Sequence, residues 1–369
     1  MARLLTLAAA VVAISLAVPA AGSAGSRFGD RSAYLSQAET GLAQVHQVWW
    51  NPLANWFTTY PWQPSNGAGG LATAWDFAPV FETYALVAAA HPTPANKSAL
   101  AAVATRAERY WDPAIKPIGG YVFLPGKTGR MNAFFDDSGW LGLAFMDTYK
   151  VLHKQRYLGD ALRAFQFIQK AGWAPGGGVW WDTAHEKITA EPLAAEVLLG
   201  AELYQATKYK PYLTTALKFL NWATYHSFNT ARGLYQRNST DDTVMNYIQG
   251  MMIGANAVLC STLHNHAYCA RGEALASAAL TAFPPTYHWA PETDAIYLRG
   301  LLQLWAVDHN PQWYGVVDDQ AQLALANARD SSGLYTKGWD GGFASNGRVL
   351  TDAGTLMLFA SIVSVPGPS

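Results

Sequence analysis

Two kinds of helical segment alternate along the chain, and this alternation restricts the fold more than any other feature. Segments that are apolar on all sides are predicted near residues 73–90, 132–152, 189–207, 243–263, 292–307 and 350–363. More polar, amphipathic segments are predicted near 32–57, 95–111, 156–171, 211–226, 270–283 and 312–329. Because wholly apolar helices belong inside and amphipathic ones outside, the six pairs predict an all-α (α/α)6 toroid, an inner ring of helices within an outer ring.

A loop that contains glycine and an aromatic residue follows the polar segments and indicates an internal repeat. Its copies are Gly119-Gly120-Tyr121-Val122-Phe123, Gly176-Gly177-Gly178-Val179-Trp180-Trp181, Gly233-Leu234-Tyr235 and Gly333-Leu334-Tyr335. The first three recur at intervals of 55 to 58 residues, and the last gap of 100 has room for two units. Since no long stretch alternates polar and apolar residues, strands are expected only in short loop hairpins.

The first 24 residues have the pattern of a secretory signal peptide. A basic start, Met1-Ala2-Arg3, precedes an apolar run too short to cross a bilayer and then small residues, with cleavage expected after Ala21 or Ala24. A retained membrane anchor is the alternative. Residues 25–369 contain no Pro/Ser-rich linker or low-complexity tract, so they are predicted to form a single domain, secreted or held in the cell envelope.

The charge balance argues against several classes of partner. Lys and Arg number 25, Asp and Glu 26, and the basic residues are dispersed, which leaves no footprint for nucleic acid or an anionic membrane. With only 14% charged residues, the chain still carries 15 Trp and 18 Tyr, and such rings in loops form platforms for sugar faces. We expect no metal or other cofactor, and a monomer.

The two cysteines, Cys260 and Cys269, frame a short turn between two predicted helices. In an exported protein this spacing favours a local disulfide bond. Because His264 and His266 lie between them, a zinc site is the alternative, although ligands packed this closely would strain to form a tetrahedron.

The strongest functional signal is a pair of adjacent carboxylates, Asp136 and Asp137, at the start of a mostly apolar helix. Burying charge there is costly unless the carboxylates have a function. The helix N-terminus favours ionisation of the nearer carboxyl, and the negative neighbour raises the pKa of the other. One ionised and one protonated carboxyl is what glycoside hydrolysis requires, whereas a helix cap beside a solvated Asp is the purely structural reading.

Parallel inner helices would bring their first turns to one mouth of the ring. Polar or aromatic residues do stand there, namely Trp75, Asp76, Asp136, Asp137, Glu191, Asp241, Asp242, Asn246, Asp294 and Asp352. For Asp241, Asp294 or Asp352 taken singly, a helix cap is the favoured explanation, so the convergence of the whole set is the informative prediction.

Several of these segments together resemble a known family, glycoside hydrolase family 76, the endo-α-1,6-mannanases. The resemblance covers about residues 70–330. It is carried by Phe134-Phe135-Asp136-Asp137-Ser138-Gly139-Trp140, Gly176-Gly177-Gly178-Val179-Trp180-Trp181, Glu202-Leu203-Tyr204 and Tyr247-Ile248-Gln249-Gly250. The family's (α/α)6 barrel agrees with the helix count. The resemblance implies retaining hydrolysis of α-1,6-mannosidic bonds, with Asp136 as the nucleophile and Asp137 as the general acid/base.

Substrate contacts are predicted from residues at the expected mouth and in the glycine-rich loop. They are Trp75, Asp76, Trp140, Trp180, Trp181, Asn246, Tyr247, Gln249 and Asp294. Core packing is the alternative reading for Trp140, which lies within an apolar helix, and for Trp180 and Trp181.

The chain departs from the family pattern at Ile248 and Ala190, where the family usually has asparagine. Each change removes a hydrogen-bonding group, for which Glu191 or Asn246 is a possible substitute. Three other readings stay open: a uronyl-sugar epimerase or hydrolase on the same fold, a non-catalytic glycan-binding protein, and a cell-wall transglycosylase. The inner segments hold almost no His or Arg apart from Arg299, which disfavours the first. The substrate is expected to be fungal mannan or a bacterial lipoglycan.

Overall fold

The computed structural model describes residues 28–64, 70–126 and 131–368, and twelve α-helices span this part of the chain. In chain order they are α1 (Arg31–Trp49), α2 (Ala74–Ala90), α3 (Pro94–Ala107), α4 (Phe135–Leu152), α5 (Gln155–Phe167), α6 (Ala190–Thr207), α7 (Lys210–His226), α8 (Asn246–Leu263), α9 (His266–Ala282), α10 (Pro291–Asp308), α11 (Pro311–Asn327) and α12 (Val349–Ser364).

The even-numbered helices form a closed inner ring. Each packs against the next even-numbered helix, and α12 packs against α2 to close the circle. The odd-numbered helices lie outside, each against at least one inner neighbour. The difference in burial explains the arrangement, because α6 is buried continuously from Ala190 to Leu203 whereas α7 buries only one face. The fold is therefore the predicted (α/α)6 barrel.

Several predicted helix bounds differ from the structure, and two of the larger differences have a local reason. The first helix ends at Trp49 instead of residue 57, because the Asn51 side chain accepts hydrogen bonds from the backbone N–H groups of Leu53 and Ala54 and forms a turn. The second polar helix ends at Ala107 and continues as a single 3-10 turn. Helix α9 begins at His266 instead of residue 270, since the side chain of Asn265 caps it.

Strands occur only as two-residue hairpins in the described part of the chain. They are β1 (Trp50–Asn51) with β2 (Trp56–Phe57), β3 (Trp111–Asp112) with β4 (Gly120–Tyr121), and β5 (Phe228–Asn229) with β6 (Leu234–Tyr235), all antiparallel. Each hairpin follows an outer helix and precedes the next inner one. The repeated glycine-aromatic motif thus supplies the returning strand of two of these hairpins.

Cys260 and Cys269 form a disulfide bond that joins the end of α8 to α9. The predicted signal peptide, residues 1–24, lies outside the described residues. Among the helices that are described, none is both long and apolar enough to cross a membrane.

Candidate active site

A cleft of about 400 Å³ lies where the first turns of α2, α4, α8 and α10 meet. Its lining residues are Trp75, Phe123, Phe134, Asp136, Asp137, Trp140, Trp181, Met245, Tyr247, Trp289, Ala290, Glu292 and Thr293. Seven of these thirteen residues are aromatic and three carry carboxyl groups. Four of the six inner helices therefore contribute to one mouth, as the parallel-ring argument predicted.

Backbone pairing fixes the start of α4 and with it both aspartates. Phe134 forms an antiparallel bridge with Asp182, and the N–H of Phe135 donates to the carbonyl of Trp181 over 2.9 Å. The glycine-rich loop thus holds the residue before the helix in an extended conformation. Asp136 and Asp137 follow as the second and third residues of α4, with both side chains at the cleft.

The Asp136 carboxylate accepts two hydrogen bonds that favour its ionised form. Its Oδ1 accepts from the backbone N–H of Asp137 over 3.0 Å, and its Oδ2 accepts from the indole Nε1 of Trp181 over 3.2 Å. Burial and the nearby charge of Glu191 act in the opposite direction and raise the pKa of Asp136 to about 7.

Asp137 lies in a drier and less supported position. It is 5% exposed, and no described residue donates a hydrogen bond to its carboxyl group. Burial, followed by the charges of Asp136 and Asp76, raises the pKa of Asp137 well above its usual range. The two neighbouring carboxyl groups therefore differ in pKa. Asp136 gives up its proton more readily, and Asp137 retains one.

Aromatic rings form the walls around this pair. Trp75 lies 5.6 Å from Trp140 and 6.5 Å from Tyr247 between ring centroids, and Trp140 lies 6.1 Å from Tyr247. Trp140 is only 4% exposed, so it packs in the core and still presents an edge to the cleft. Trp181 and Trp289 are 41% and 40% exposed and form two outer rims on the loops before α6 and α10.

Five of the nine predicted substrate contacts do not line the cleft, namely Asp76, Trp180, Asn246, Gln249 and Asp294. Asp76 is fully buried, where it completes a capping box with Thr73 and binds the Nε of Arg348 over 2.6 Å. Gln249 is also fully buried, and its amide binds the backbone N–H and carbonyl of Tyr235. Both side chains are occupied in holding loops against the ring.

Asn246 and Asp294 are buried and do not line the cleft. Asn246 donates to Asp294 over 2.5 Å, and Asp294 also accepts from the backbone N–H of Trp289. This pair therefore positions Trp289 and the neighbouring Tyr247. Trp180 likewise lies off the cleft, where its ring stacks on His185 at 5.5 Å.

Of the other acids predicted for first turns, Glu191 and Asp352 have structural partners, whereas Asp241 and Asp242 do not lie in a first turn. Glu191 binds Arg237 over 2.8 Å and accepts from the Thr189 hydroxyl, so it acts on the cleft through its charge. Asp352 accepts from the backbone N–H of Tyr335, and Asp241 and Asp242 precede α8 in a loop. At the two departures from the family pattern, the side chains of Ile248 and Ala190 are buried in the core.

Sequence reasoning missed several cleft residues, most importantly Trp289 and Glu292. Both flank the start of α10, in Trp289-Ala290-Pro291-Glu292, where a Trp before an inner helix and an acid in its first turn were the available signals. Phe134, next to the aspartate pair, could have been found in the same way.

The single inner-ring arginine, Arg299, does not reach the cleft. It forms ion pairs with Glu82 and Asp147 deeper in the barrel. Within residues 28–64, 70–126 and 131–368, no group of three or more His, Cys, Asp or Glu side chains is arranged to hold a metal ion.

Comparison with known proteins gives a family match and several similar structures. The family model for glycosyl hydrolase family 76 matches residues 70–297. A family 76 glycoside hydrolase from a bovine Bacteroides thetaiotaomicron strain is 20% identical, with a TM-score of 0.81 over 89% of this chain and 77% of that chain. A comparison with curated proteins finds no match.

Two further structures share the fold. A family 76 mannosidase from Bacteroides thetaiotaomicron VPI-5482 is 17% identical, with a TM-score of 0.81 over 90% of this chain and 98% of that chain. An inactive variant of the α-1,6-mannanase of Salegentibacter sp. HEL1_6, in complex with α-1,6-mannotriose, is 19% identical, with a TM-score of 0.70 over 89% of this chain and 99% of that chain.

Proposed function

The chain belongs to glycosyl hydrolase family 76 and is a glycoside hydrolase, and from this premise we propose that it cleaves α-1,6-mannosidic bonds within mannan backbones. The observation that carries the proposal is the presentation of Asp136 and Asp137, side by side, in an aromatic cleft of about 400 Å³. Support for the bond type comes from the Salegentibacter relative, an α-1,6-mannanase whose inactive variant binds α-1,6-mannotriose.

We propose a double displacement in which the two carboxyls have different roles. Ionised Asp136 attacks C1 of the mannosyl unit, the bond from C1 to the glycosidic oxygen breaks, and that oxygen takes the proton of Asp137. A water molecule then gives a proton to Asp137 while its oxygen attacks C1 and releases Asp136. The environments of the two groups favour this assignment, because Asp136 accepts two hydrogen bonds and Asp137 none from the described residues.

The shape of the cleft supports internal cleavage of a chain. Trp181 and Trp289 stand at its rims with 41% and 40% of their surface exposed, while Trp75, Trp140 and Tyr247 lie deeper. Aromatic platforms at separate points suit several consecutive sugar units. We therefore propose endo action, and we infer that the products are short α-1,6-linked oligosaccharides with the α configuration retained.

The experiment is product analysis with α-1,6-mannohexaose. We expect NMR to show the α anomer of the new reducing end before mutarotation, and mass spectrometry to show products of intermediate length. Release of mannose alone would contradict endo action, and products longer than the hexaose would identify a sugar rather than water as the acceptor. A β anomer would contradict the assignment of Asp136 as nucleophile.

Variants of the pair test the roles. Asp136→Asn and Asp137→Asn are each expected to lower kcat by several orders of magnitude while retaining oligosaccharide binding. Azide is expected to restore cleavage in Asp137→Asn with an activated aryl glycoside, because the nucleophile is intact and only proton transfer is lost. Retention of binding without turnover in the wild type would instead favour a glycan-binding protein.

We also propose that the protein acts outside the cytoplasm. The signal-peptide pattern of residues 1–24 supports export, and so does the disulfide between Cys260 and Cys269, because such bonds persist in oxidising compartments. A mannan or lipoglycan of the cell wall is then an accessible substrate. N-terminal sequencing of the protein from culture medium and from cell envelopes tests export, and an N-terminus at Met1 in cytosolic protein would contradict it.

A further inference from the structure

Glu292 is the third carboxyl group of the cleft, and its helix lies on the opposite side of the ring from the helix that carries Asp136 and Asp137. The closed ring runs α2, α4, α6, α8, α10, α12, so α10 lies three helices from α4 in either direction. Glu292 is in the first turn of α10, and Asp136 and Asp137 are in the first turn of α4. A sugar ring held between these two helices therefore has one edge towards the pair and the other towards Glu292.

One carboxyl oxygen of Glu292 is without a partner where a partner would be expected. Its Oε2 is buried and accepts no hydrogen bond from the described residues. Burial raises the pKa of Glu292, which favours a protonated carboxyl that can both donate and accept. A buried polar group left unpaired costs free energy, so an unpaired carboxyl oxygen in a residue that lines the cleft points to a group that a ligand satisfies.

Structural roles for Glu292 are already filled by its neighbours. The hydroxyl of Thr293 donates to the Ala290 carbonyl at the start of α10. The Nε of Arg348, the nearby cation, is bound to Asp76 over 2.6 Å. Neither the helix start nor this ion pair requires Glu292.

We propose that Glu292 hydrogen-bonds the C4 hydroxyl of the mannosyl unit whose C1 faces Asp136, and that it thereby helps to select the sugar. In a pyranose ring C4 lies opposite C1, so a unit that presents C1 to α4 presents C4 to α10. The inference rests on the proposed function for the orientation of the sugar. The contact that Glu292 makes with the substrate therefore depends on the C4 hydroxyl.

The test compares two tetrasaccharides, α-1,6-mannotetraose and its analogue built from 4-deoxymannose. We expect the wild type to lose about tenfold in kcat/KM on the deoxy analogue, which corresponds to one hydrogen bond. Glu292→Ala is expected to lose a similar factor on mannotetraose and then to treat the two substrates alike. Glu292→Gln, which keeps a donor and an acceptor, should retain part of the discrimination.

Glu196→Gln is the matched control. Glu196 is a buried glutamate of α6 whose carboxyl oxygens have no described partner, and it does not line the cleft. It should keep the wild-type kcat/KM and the wild-type discrimination. Thermal unfolding of all variants shows whether they are folded.

An equal loss by Glu292→Ala on both tetrasaccharides would overturn the inference, since the residue would then act without regard to the hydroxyl. If the wild type cleaves neither tetrasaccharide, the proposed hydrolysis is wrong. The contact of Glu292 is then tested separately, by measuring the binding of both tetrasaccharides by calorimetry. Weaker binding of mannotetraose, but not of the deoxy analogue, by Glu292→Ala would support the contact. Unchanged binding, or no binding by the wild type, would overturn it.

Discussion

Trp181 donates a hydrogen bond from its indole Nε1 to Oδ2 of Asp136 over 3.2 Å, and it is the one described side chain that does so. The donor comes from the glycine-rich loop between α5 and α6, and the acceptor from the first turn of α4. The same backbone segment pairs with Phe134 and Phe135. One loop therefore fixes the position of the proposed nucleophile and favours its ionised form.

Replacing this donor is expected to shift the pH dependence of hydrolysis. The pKa of Asp136 is about 7, and the indole hydrogen bond lowers it towards that value against the effect of burial. Trp181→Phe removes the bond, so the pKa rises and the acidic limb of kcat/KM, which requires ionised Asp136, moves to higher pH. We expect kcat/KM near neutrality to fall about tenfold, measured on α-1,6-mannotetraose between pH 5 and 9.

Trp180→Phe is the control for this shift. Its ring stacks on His185 away from the cleft, so the acidic limb is expected to stay in place. If Trp181→Phe lowered activity with an unchanged limb, the indole would contribute only a sugar-stacking surface.

A second prediction concerns the positioning of Trp289 by Asp294. Asp294→Ala leaves the Nδ2 of Asn246 and the backbone N–H of Trp289 without their acceptor, which should destabilise the protein by about 1–3 kcal/mol. Because Trp289 stands at the rim and not at the catalytic pair, we expect KM to rise several-fold with little change in kcat. Initial-rate kinetics and thermal unfolding measure both effects.

A double variant distinguishes the positioning of Trp289 by Asp294 from a general destabilisation of the protein. Trp289→Ala should raise KM by a similar factor, and the double variant should be no worse than Trp289→Ala alone. Additive losses would show that Asp294 acts on the cleft by another route.

The ring and the position of the aspartate pair at the cleft were predictable because both depend on local pattern. The alternation of wholly apolar and amphipathic segments is a direct consequence of which helices have neighbours on all sides. Asp136 and Asp137 were recognisable because two acids at the start of a buried helix contradict ordinary burial preferences. Neither inference required knowledge of contacts between distant residues.

The sequence did not distinguish substrate contacts from structural hydrogen bonds among the polar residues near the starts of the inner helices. Asp76 and Gln249 are of the residue types that bind sugars, yet their hydrogen bonds go to a helix cap and to a hairpin backbone. These partners are set by loop packing, which local pattern does not encode. Glu292 was overlooked for the converse reason, since an acid in a first turn is usually explained by the helix dipole.

The buried carboxyl of Asp352 predicts a pH-dependent contribution to stability. Burial raises the pKa of Asp352 to about 7, so in the folded state it holds its proton over a range in which the unfolded chain has lost it. The folded form therefore binds more protons between about pH 4 and 7, and the contribution to stability falls as pH rises through that window. Above the folded pKa the loss is complete and constant.

Asp352→Asn should remove this dependence while retaining the acceptor for the Tyr335 backbone N–H. We expect the difference in Tm between the variant and the wild type to be small at pH 4, to grow in favour of the variant up to about pH 7, and then to level. A difference that is the same at every pH would show that Asp352 does not titrate in this window. Differential scanning calorimetry at constant ionic strength measures it.

The last prediction concerns the contact between α8 and α10, two helices that each carry a residue of the cleft lining. A Cβ on Gly300 would lie 2.1 Å from the carbonyl oxygen of Gly250, and a Cβ on Gly250 would lie 2.5 Å from the Cα of Tyr297. Gly300→Ala must push the two helices apart and should destabilise the protein by about 1–3 kcal/mol. Since Tyr247 is on α8 and Glu292 on α10, kcat/KM should fall as well.

Gly315→Ala, on outer helix α11, is the control. Its Cβ meets no atom within 4 Å, so the substitution should instead stabilise the protein by about 0.5–1 kcal/mol through reduced chain entropy. Chemical denaturation gives both values, and equal effects from the two alanines would contradict a close approach of backbones at this point in the ring.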